Sequence, residues 1–323
     1  MTDFSFSSVA DNFDEHIRKS IHGYDTLFEA TVGMSKTYIK NDTYVLDIGC
    51  SKGTLIQTIH DRCPINKRYE HEDPKFSKPL QKYAQMKMAG ETYNPVYIGI
   101  DVDESFVNSW KPHYTKNEIW NGLVRCPFYA LADIKDWKVN ETLPEDYKQN
   151  ILDGIGEEGW REGKPYTVFP MKNHKIEHCS EEVFCNQLTE DERDTSAMIV
   201  CDHFKEPKFS YITSLFTFQF LQREVRDQTI EKIKKVLHKE GALVVAEKIY
   251  SQDGHIQNMY EFLNIDYKRK SFSEKEILDK EQSLRNMANY FTEEELMSYY
   301  SQHFKVSVFW RNLNFIGLLC RRL

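Results

Sequence analysis

Apolar residues recur at helical spacing from Phe13 to about Ile39, at Phe13, Ile17, Ile21, Leu27, Phe28 and Val32, with a turn signal at His22-Gly23. The pattern predicts a helix, a kink and a second helix. The pattern then shortens to Tyr44-Val45-Leu46-Asp47-Ile48, ends in Gly49-Cys50-Ser51-Lys52-Gly53 and resumes as a helix from Thr54 to His60. This reads as strand, tight turn and helix. Further strands are expected at Val96–Ile100, ending at Asp101, at Phe128–Leu131, at Tyr211–Leu215 and, beyond a turn at Glu240-Gly241, at Ala242–Ala246. An amphipathic helix spans about Arg223 to Leu237. The C-terminal third is helix-rich from about Ile256 to Tyr300, with Thr292-Glu293-Glu294-Glu295 shaped as a capping box, and closes with a hairpin of Val306–Trp310 and Phe315–Cys320.

Strands alternating with helices imply a mostly parallel sheet covered on both faces, an α/β three-layer sandwich of Rossmann-like type with a terminal hairpin. Two polar segments, about 61–94 and 138–207, interrupt the alternation and read as insertions in one domain spanning 1–323. The second holds one strand-like piece, Ala197–Cys201.

Composition removes several classes. The 323 residues are 40% hydrophobic and 28% charged, which fits an ordinary globular protein and not a fibrous or disordered one. No apolar run reaches the roughly 18 residues that a membrane-spanning helix needs, and the first residues carry no leader pattern. A cytoplasmic protein without membrane contact is expected. The seven cysteines are odd in number and scattered, so reduced thiols are expected. His174, His178, Cys179, Cys185, Cys201 and His203 match no standard zinc spacing, and no metal is expected. A net charge of −8 argues against a general phosphate-binding surface. Tyr267-Lys268-Arg269-Lys270 and the basic run Lys232 to Lys239 could still touch RNA, or be solvated faces.

The candidate chemistry starts at the glycine turn. Glycines after a strand allow a sharp turn and close approach of a ligand to the backbone, and the helix that follows offers free N–H groups. Asp101, at the tip of the next strand, is placed to accept hydrogen bonds from ribose hydroxyls. The glycine spacing departs from the dinucleotide fingerprint, and the interval to Asp101 is about twice the usual 20 or so residues, as an insertion would explain. With the later Asp133, these features point to a nucleoside cofactor, S-adenosyl-L-methionine (SAM).

The segment Val9-Ala10-Asp11-Asn12-Phe13-Asp14-Glu15-His16-Ile17-Arg18-Lys19-Ser20-Ile21-His22-Gly23-Tyr24 adds to this. Together with Asp-Ile-Gly-Cys-Ser, Phe216-Thr217-Phe218-Gln219-Phe220-Leu221, Glu247-Lys248 and Asn314-Phe315, it resembles the carboxy-SAM synthases. These are class I methyltransferase-fold proteins that serve wobble-uridine modification in bacterial tRNA. The likeness covers roughly 9–58, 96–137 and 208–320. It implies SAM as cofactor, a homodimer, Tyr24 near the reactive end of the cofactor, Gly49, Cys50 and Ser51 under its methionine part, Asp101 on the ribose, and Asp133 and Ile134 at the adenine. Tyr24 also reads as a helix-packing tyrosine.

Two departures bear on function. Leu215 occupies a cofactor-binding position where the family has asparagine; in a second alignment Asp202 would take the place. At the arginine that binds the extra carboxylate of the family's product, this chain has Glu281, and a carboxylate there repels another. Arg285 lies one helical turn on, so the two could have exchanged charges, or could form an exposed pair with the substrate site lost. The second case favours plain methyl transfer to an unknown small-molecule or RNA acceptor. Carboxy-SAM synthesis from SAM and a carboxyl donor such as prephenate, which the resemblance implies, is the alternative enzymatic reading, and a non-catalytic scaffold retaining the fold is the third. Methyl transfer requires mainly alignment of the acceptor, so the sequence names no catalytic residue.

Overall fold

The computed structural model describes residues 10–41, 43–65, 95–109, 128–131, 133–134 and 209–323. Most of the first expected insertion, the whole of the second, Ala197–Cys201, Asp202 and the six histidines and cysteines considered for zinc lie outside these residues.

Two helices open the chain, α1 (Phe13–Ser20) and α2 (Tyr24–Tyr38). The kink between them is Gly23 at φ 77°, a left-handed conformation that costs glycine little. Then follow β1 (Tyr44–Ile48), α3 (Thr54–Arg62), β2 (Val96–Asp101), β3 (Phe128–Leu131) and β4 (Phe209–Leu215). The C-terminal part contains α4 (Arg223–Val236), β5 (Leu237–Tyr250), α5 (Gly254–Lys268) and α6 (Glu274–Met287). It ends in β6 (Phe291–Thr292), α7 (Glu293–Ser301), β7 (Phe304–Asn312) and β8 (Phe315–Arg322).

The sheet order is β3-β2-β1-β4-β5-β8-β7, with the short β6 beside β5. The first five strands are parallel and the terminal hairpin is antiparallel, with β8 inserted between β5 and β7. Strand order reverses between β1 and β4, a topological switch point where ligand crevices form outside the carboxyl ends of the strands.

Alternation along the strands divides the core in two. Tyr44, Leu46 and Ile48 join Ile212, Leu243 and Val245 under Ile230 and Ile233 of α4 and Leu296 and Tyr300 of α7. Val45, Tyr97, Tyr211 and Val244 join Phe28 and Val32 of α2 and Ile56 and Ile59 of α3. Both faces of the sheet are therefore covered, which makes the three layers, and each fully buried aliphatic side chain contributes about 1.5–3 kcal/mol. The fold is a three-layer α/β sandwich with a mostly parallel sheet and an antiparallel terminal hairpin, as expected from the sequence.

One boundary differs from expectation. The turn at Glu240-Gly241 does not begin β5 but lies inside it, because the pairing register with β4 jumps from Phe209↔Leu237 to Tyr211↔Ala242. A Cβ on Gly241 would lie 3.0 Å from the carbonyl oxygens of His238, Phe209 and Ser210, so the bulge depends on a residue without one. The capping box at Thr292 and Glu295 is present, and a second, at Ser273 and Glu276, starts α6.

Candidate functional site

The first turn after β1 is built from backbone. The Gly49 and Cys50 amides donate to Ile100 O at 2.8 and 3.0 Å, and the Gly53 amide donates to Cys50 O at 2.7 Å. Gly49 (φ 73°) and Gly53 (φ 79°) are both left-handed, as is Ser51 (φ 48°). At Gly49 there is also no room: a Cβ would lie 2.7 Å from Thr217 Cγ2, and Thr217 Oγ1 donates to Ile48 O at 3.1 Å. Thr217 belongs to Phe216–Leu221, so two of the motifs noted in the sequence interlock here.

Asp101 closes the second side. Its Oδ2 accepts from the Ser51 amide at 2.8 Å and its Oδ1 from the Asp103 amide at 3.0 Å. Burial raises its pKa, while the amides of Asp103, Ser51 and Val102 oppose the rise. Each carboxylate oxygen keeps acceptor capacity beyond these bonds. Asp47, near it, is buried and accepts from Thr213 Oγ1 at 2.7 Å. Burial, reinforced by Asp101, lifts its carboxyl to about 7.

A cavity of about 820 Å³ opens over these strand ends. Tyr24, Gly49, Cys50, Ser51, Asp101, Asp133, Ile134 and Leu215 all line it. These eight come from five separate stretches of chain, and the topology brings them to one space. Tyr24 starts α2 and packs against Phe28 and Phe216 at 6.3 and 6.4 Å between ring centroids. Burial, then Asp14 and Asp47, raises its phenol above the ordinary value. The Cys50 thiol is raised by burial too, and hence is held as a neutral wall. Leu215, noted in the sequence as a departure from the family's asparagine, offers the cavity an apolar side chain.

The far end of the cavity differs from the reading of residues 281 and 285. Glu281 lines the cavity, whereas Arg285 is exposed and does not. They make neither an exchanged pair nor an exposed ion pair. Glu281 is hydrogen-bonded to Lys268 Nζ at the end of α5, and its Oε2 lies 3.5 Å from Lys248 Nζ at the end of β5. Burial would raise this carboxyl, but Lys248 and Lys268 outweigh it and hold the group at about 2. Lys280, the preceding residue, points into the same cavity from α6, 2.7 Å from His16 Nε2 and 3.0 Å from Ser20 Oγ of α1. Burial and then Lys268 press Lys280 down to about 7, and burial, Lys280 and Lys268 press His16 down to about 4. A neutral His16 accepts at Nε2 from the Lys280 ammonium.

Lys248, Lys268, Lys280, His16 and Asp47 were not singled out from sequence as site residues. Glu247-Lys248 had been quoted as a motif, and the structure separates its members: Glu247 pairs with Arg226 at 2.5 Å in the core, while Lys248 turns to the cavity. The basic run 267–270 is likewise divided, Lys268 going to the cavity and Arg269 to Asp266 and Glu274. Lys268 is thus not part of a surface phosphate patch. Among the described residues, no three His, Cys, Asp or Glu side chains group as metal ligands, and no helix is long and apolar enough to cross a membrane.

The chain shares 34% identity over 289 residues with the carboxy-S-adenosyl-L-methionine synthase of Shewanella woodyi, covering 89% of this chain and 79% of the relative. With the enzyme of the same name from Shewanella oneidensis it shares 23% identity over the same spans. No protein-family model matches it. A solved DhpI complex with SAM superposes over 98% of this chain and 93% of its own with a TM-score of 0.44 and 8% identity. The glycine turn closed by Asp101 fits a nucleoside cofactor, and the relatives agree with it: the chain belongs to the carboxy-S-adenosyl-L-methionine synthase family of SAM-dependent transferases.

Proposed function

We propose that this protein is a carboxy-SAM synthase, which binds SAM in the cavity and exchanges a methyl hydrogen for a carboxyl group taken from a carboxylic acid donor. SAM supplies the activated sulfonium methyl. The chain's residues supply the setting: Gly49, Cys50 and Ser51 bear the methionine part, Asp101 accepts from the ribose hydroxyls, Asp133 accepts from the adenine amino group beside Ile134, and Tyr24 with Leu215 borders the reactive end. Asp47, with a carboxyl poised near neutrality, faces the methionine part and can accept from its ammonium.

The single observation that carries the choice of reaction is the state of Glu281. Considered alone, its carboxylate would repel a carboxylated cofactor and favour plain methyl transfer. Held by Lys248 and Lys268, with Lys280 in the same wall, it belongs to a group of three lysines and one acid. Such a group attracts a carboxylate. Methyl transfer to an RNA or small-molecule acceptor loses the observation that favoured it.

Mass spectrometry of the molecule released on denaturing the purified protein tests the proposal, together with incubation of the protein with SAM and prephenate, the donor the family resemblance implies. Carboxy-SAM in either experiment is the expected result; SAM alone in both overturns the reaction. Delivery of the product to wobble-uridine modification in tRNA, a single domain carrying two insertions, and a homodimer belong to the same proposal. The dimer is supported by exposed Met259, Phe262 and Leu263 on α5, and sedimentation of the purified chain tests it.

A further inference from the structure

The two N-terminal helices are fastened to the protein in different ways. In α2, Leu27, Phe28, Thr31, Val32 and Ser35 are buried, so this helix belongs to the core. In α1 the buried residue is Ser20. The inner face of α1, with Phe13, Asp14, His16, Ile17 and Ser20, lines the cavity. The spacing is that of one side of a helix, so α1 roofs a space whose floor is the glycine turn and Asp101.

Polar contacts hold both ends of this roof. At one end the Thr54 hydroxyl donates to Asp14 Oδ2 at 2.6 Å, and Lys52 Nζ donates to Asp11 O at 2.7 Å. Thr54 is the first residue of α3, whose N-cap, Gly53, supplies no side-chain cap. Asp14 thus stands in the first turn of its own helix and beside the N-terminus of another, where both helix dipoles favour its negative charge. At the other end Tyr267 Oη of α5 donates to Arg18 O at 2.7 Å, and Lys280 Nζ of α6 donates to Ser20 Oγ at 3.0 Å. Between α1 and the buried α2 lies Gly23 at φ 77°, bridged by an exposed Arg18–Asp25 ion pair at 2.8 Å. An exposed pair contributes little. A helix tied to the core through its ends and a short kink opens at a lower free energy than the core itself.

We propose that α1 is a strap over the cofactor cavity, swinging at His22-Gly23 to admit and release SAM, and that Asp14 is the positioning residue that latches it to α3 through Thr54. The inference rests on the placement of SAM in this cavity and adds the path by which the cofactor enters. The latch joins protein to protein, so it opposes opening whether the cavity is filled or not. Releasing it speeds entry and exit together and leaves the equilibrium affinity nearly unchanged. A residue that only contacts the cofactor changes the exit rate and with it the affinity. One that only supports the fold lowers the melting temperature and leaves both rates.

Association and dissociation of radiolabelled SAM with the full chain, freed of bound small molecules, are measured by rapid filtration. Asp14→Ala and Thr54→Val should each raise both rates about tenfold, from the loss of one charge-assisted hydrogen bond, with the dissociation constant within about twofold of the wild type. Asp14→Asn keeps an acceptor for Thr54 and should raise them less. Tyr267→Phe removes the bond at the other end, from a residue outside the cavity wall, and should raise both rates about threefold. Variants that leave both rates at the wild-type values, or that move the exit rate and the affinity alone, overturn the strap. Should the Asp14 and Thr54 variants fail to fold, Tyr267→Phe decides the question by the same two rates. A wild type that binds no SAM sinks the cofactor placement and the strap with it, whereas a wild type that binds SAM beside variants with unaltered rates sinks the strap alone.

Discussion

The Ser51 amide donates to Asp101 Oδ2 at 2.8 Å, so one carboxylate fixes the glycine turn of β1 from the tip of the neighbouring β2. The two residues are fifty positions apart, and the parallel register that pairs Ile48 with Ile100 brings them together. Asp101→Ala removes this clamp and, on the proposed placement, the ribose acceptor at once. SAM affinity is expected to fall by about 100-fold or more, from one charged hydrogen bond and the loosened turn; calorimetric titration reads it, and undiminished binding would refute the cofactor placement.

Asp47 makes the ligand-free protein sensitive to alkali. Its folded pKa, about 7, stands above its unfolded value, so its contribution to stability is complete below the unfolded pKa and is lost as pH rises through 7. Asp47→Asn should therefore melt above the wild type at pH 8, by several degrees, and the two should converge toward pH 4. It should also bind SAM more weakly if Asp47 accepts from the methionine ammonium. Thermal unfolding across pH with and without SAM separates the two effects.

Lys280 gives the opposite linkage. Its folded pKa near 7 lies below its unfolded value, so folding penalises the ammonium, and stability rises between pH 7 and the ordinary lysine range. Lys268 and Lys248 oppose its charge, Glu281 favours it, and His16 is the titratable group on the facing α1. A bound carboxylate favours the charged form, so carboxy-SAM binding at pH 8 should take up a fraction of a proton approaching one. Calorimetry in buffers of different ionisation enthalpy measures that uptake, and Lys280→Met should abolish it.

Behind the site, Arg226 and Glu247 form an ion pair at 2.5 Å with both side chains 2% exposed, and Tyr300 Oη donates to Glu247 at 2.8 Å. Glu247→Ala leaves the guanidinium buried without its counter-charge. A loss of about 3–5 kcal/mol is expected in urea unfolding. Glu247→Gln should cost less, because a neutral acceptor remains.

The strands and helices were legible because hydrophobic period is a local property. Val45 and Leu46 point to opposite faces of one strand, and Ile230 and Ile233 to one face of a helix, wherever the partners lie. The glycine turn and Asp101 were legible for the same reason: φ near 73° at Gly49 and an acid at a strand tip are demands of local backbone geometry. The bulge in β5 was not, because it is a matter of register against β4.

Charge at the far end of the cavity belongs to tertiary structure. The sequence put Glu281 beside Arg285 by helical spacing, yet Arg285 faces solvent and the partners of Glu281 stand thirteen and thirty-three positions away, at Lys268 and Lys248. In the sequence, Lys268 belongs to a basic run and Lys248 to a two-residue motif, with nothing to indicate a common target. The sequence by itself determined the layered fold and the glycine turn, through periodicity and backbone conformation; the electrostatics of the far end of the cavity was decided only when β5, α5 and α6 converged, because Coulomb interaction depends on distance in space and not along the chain.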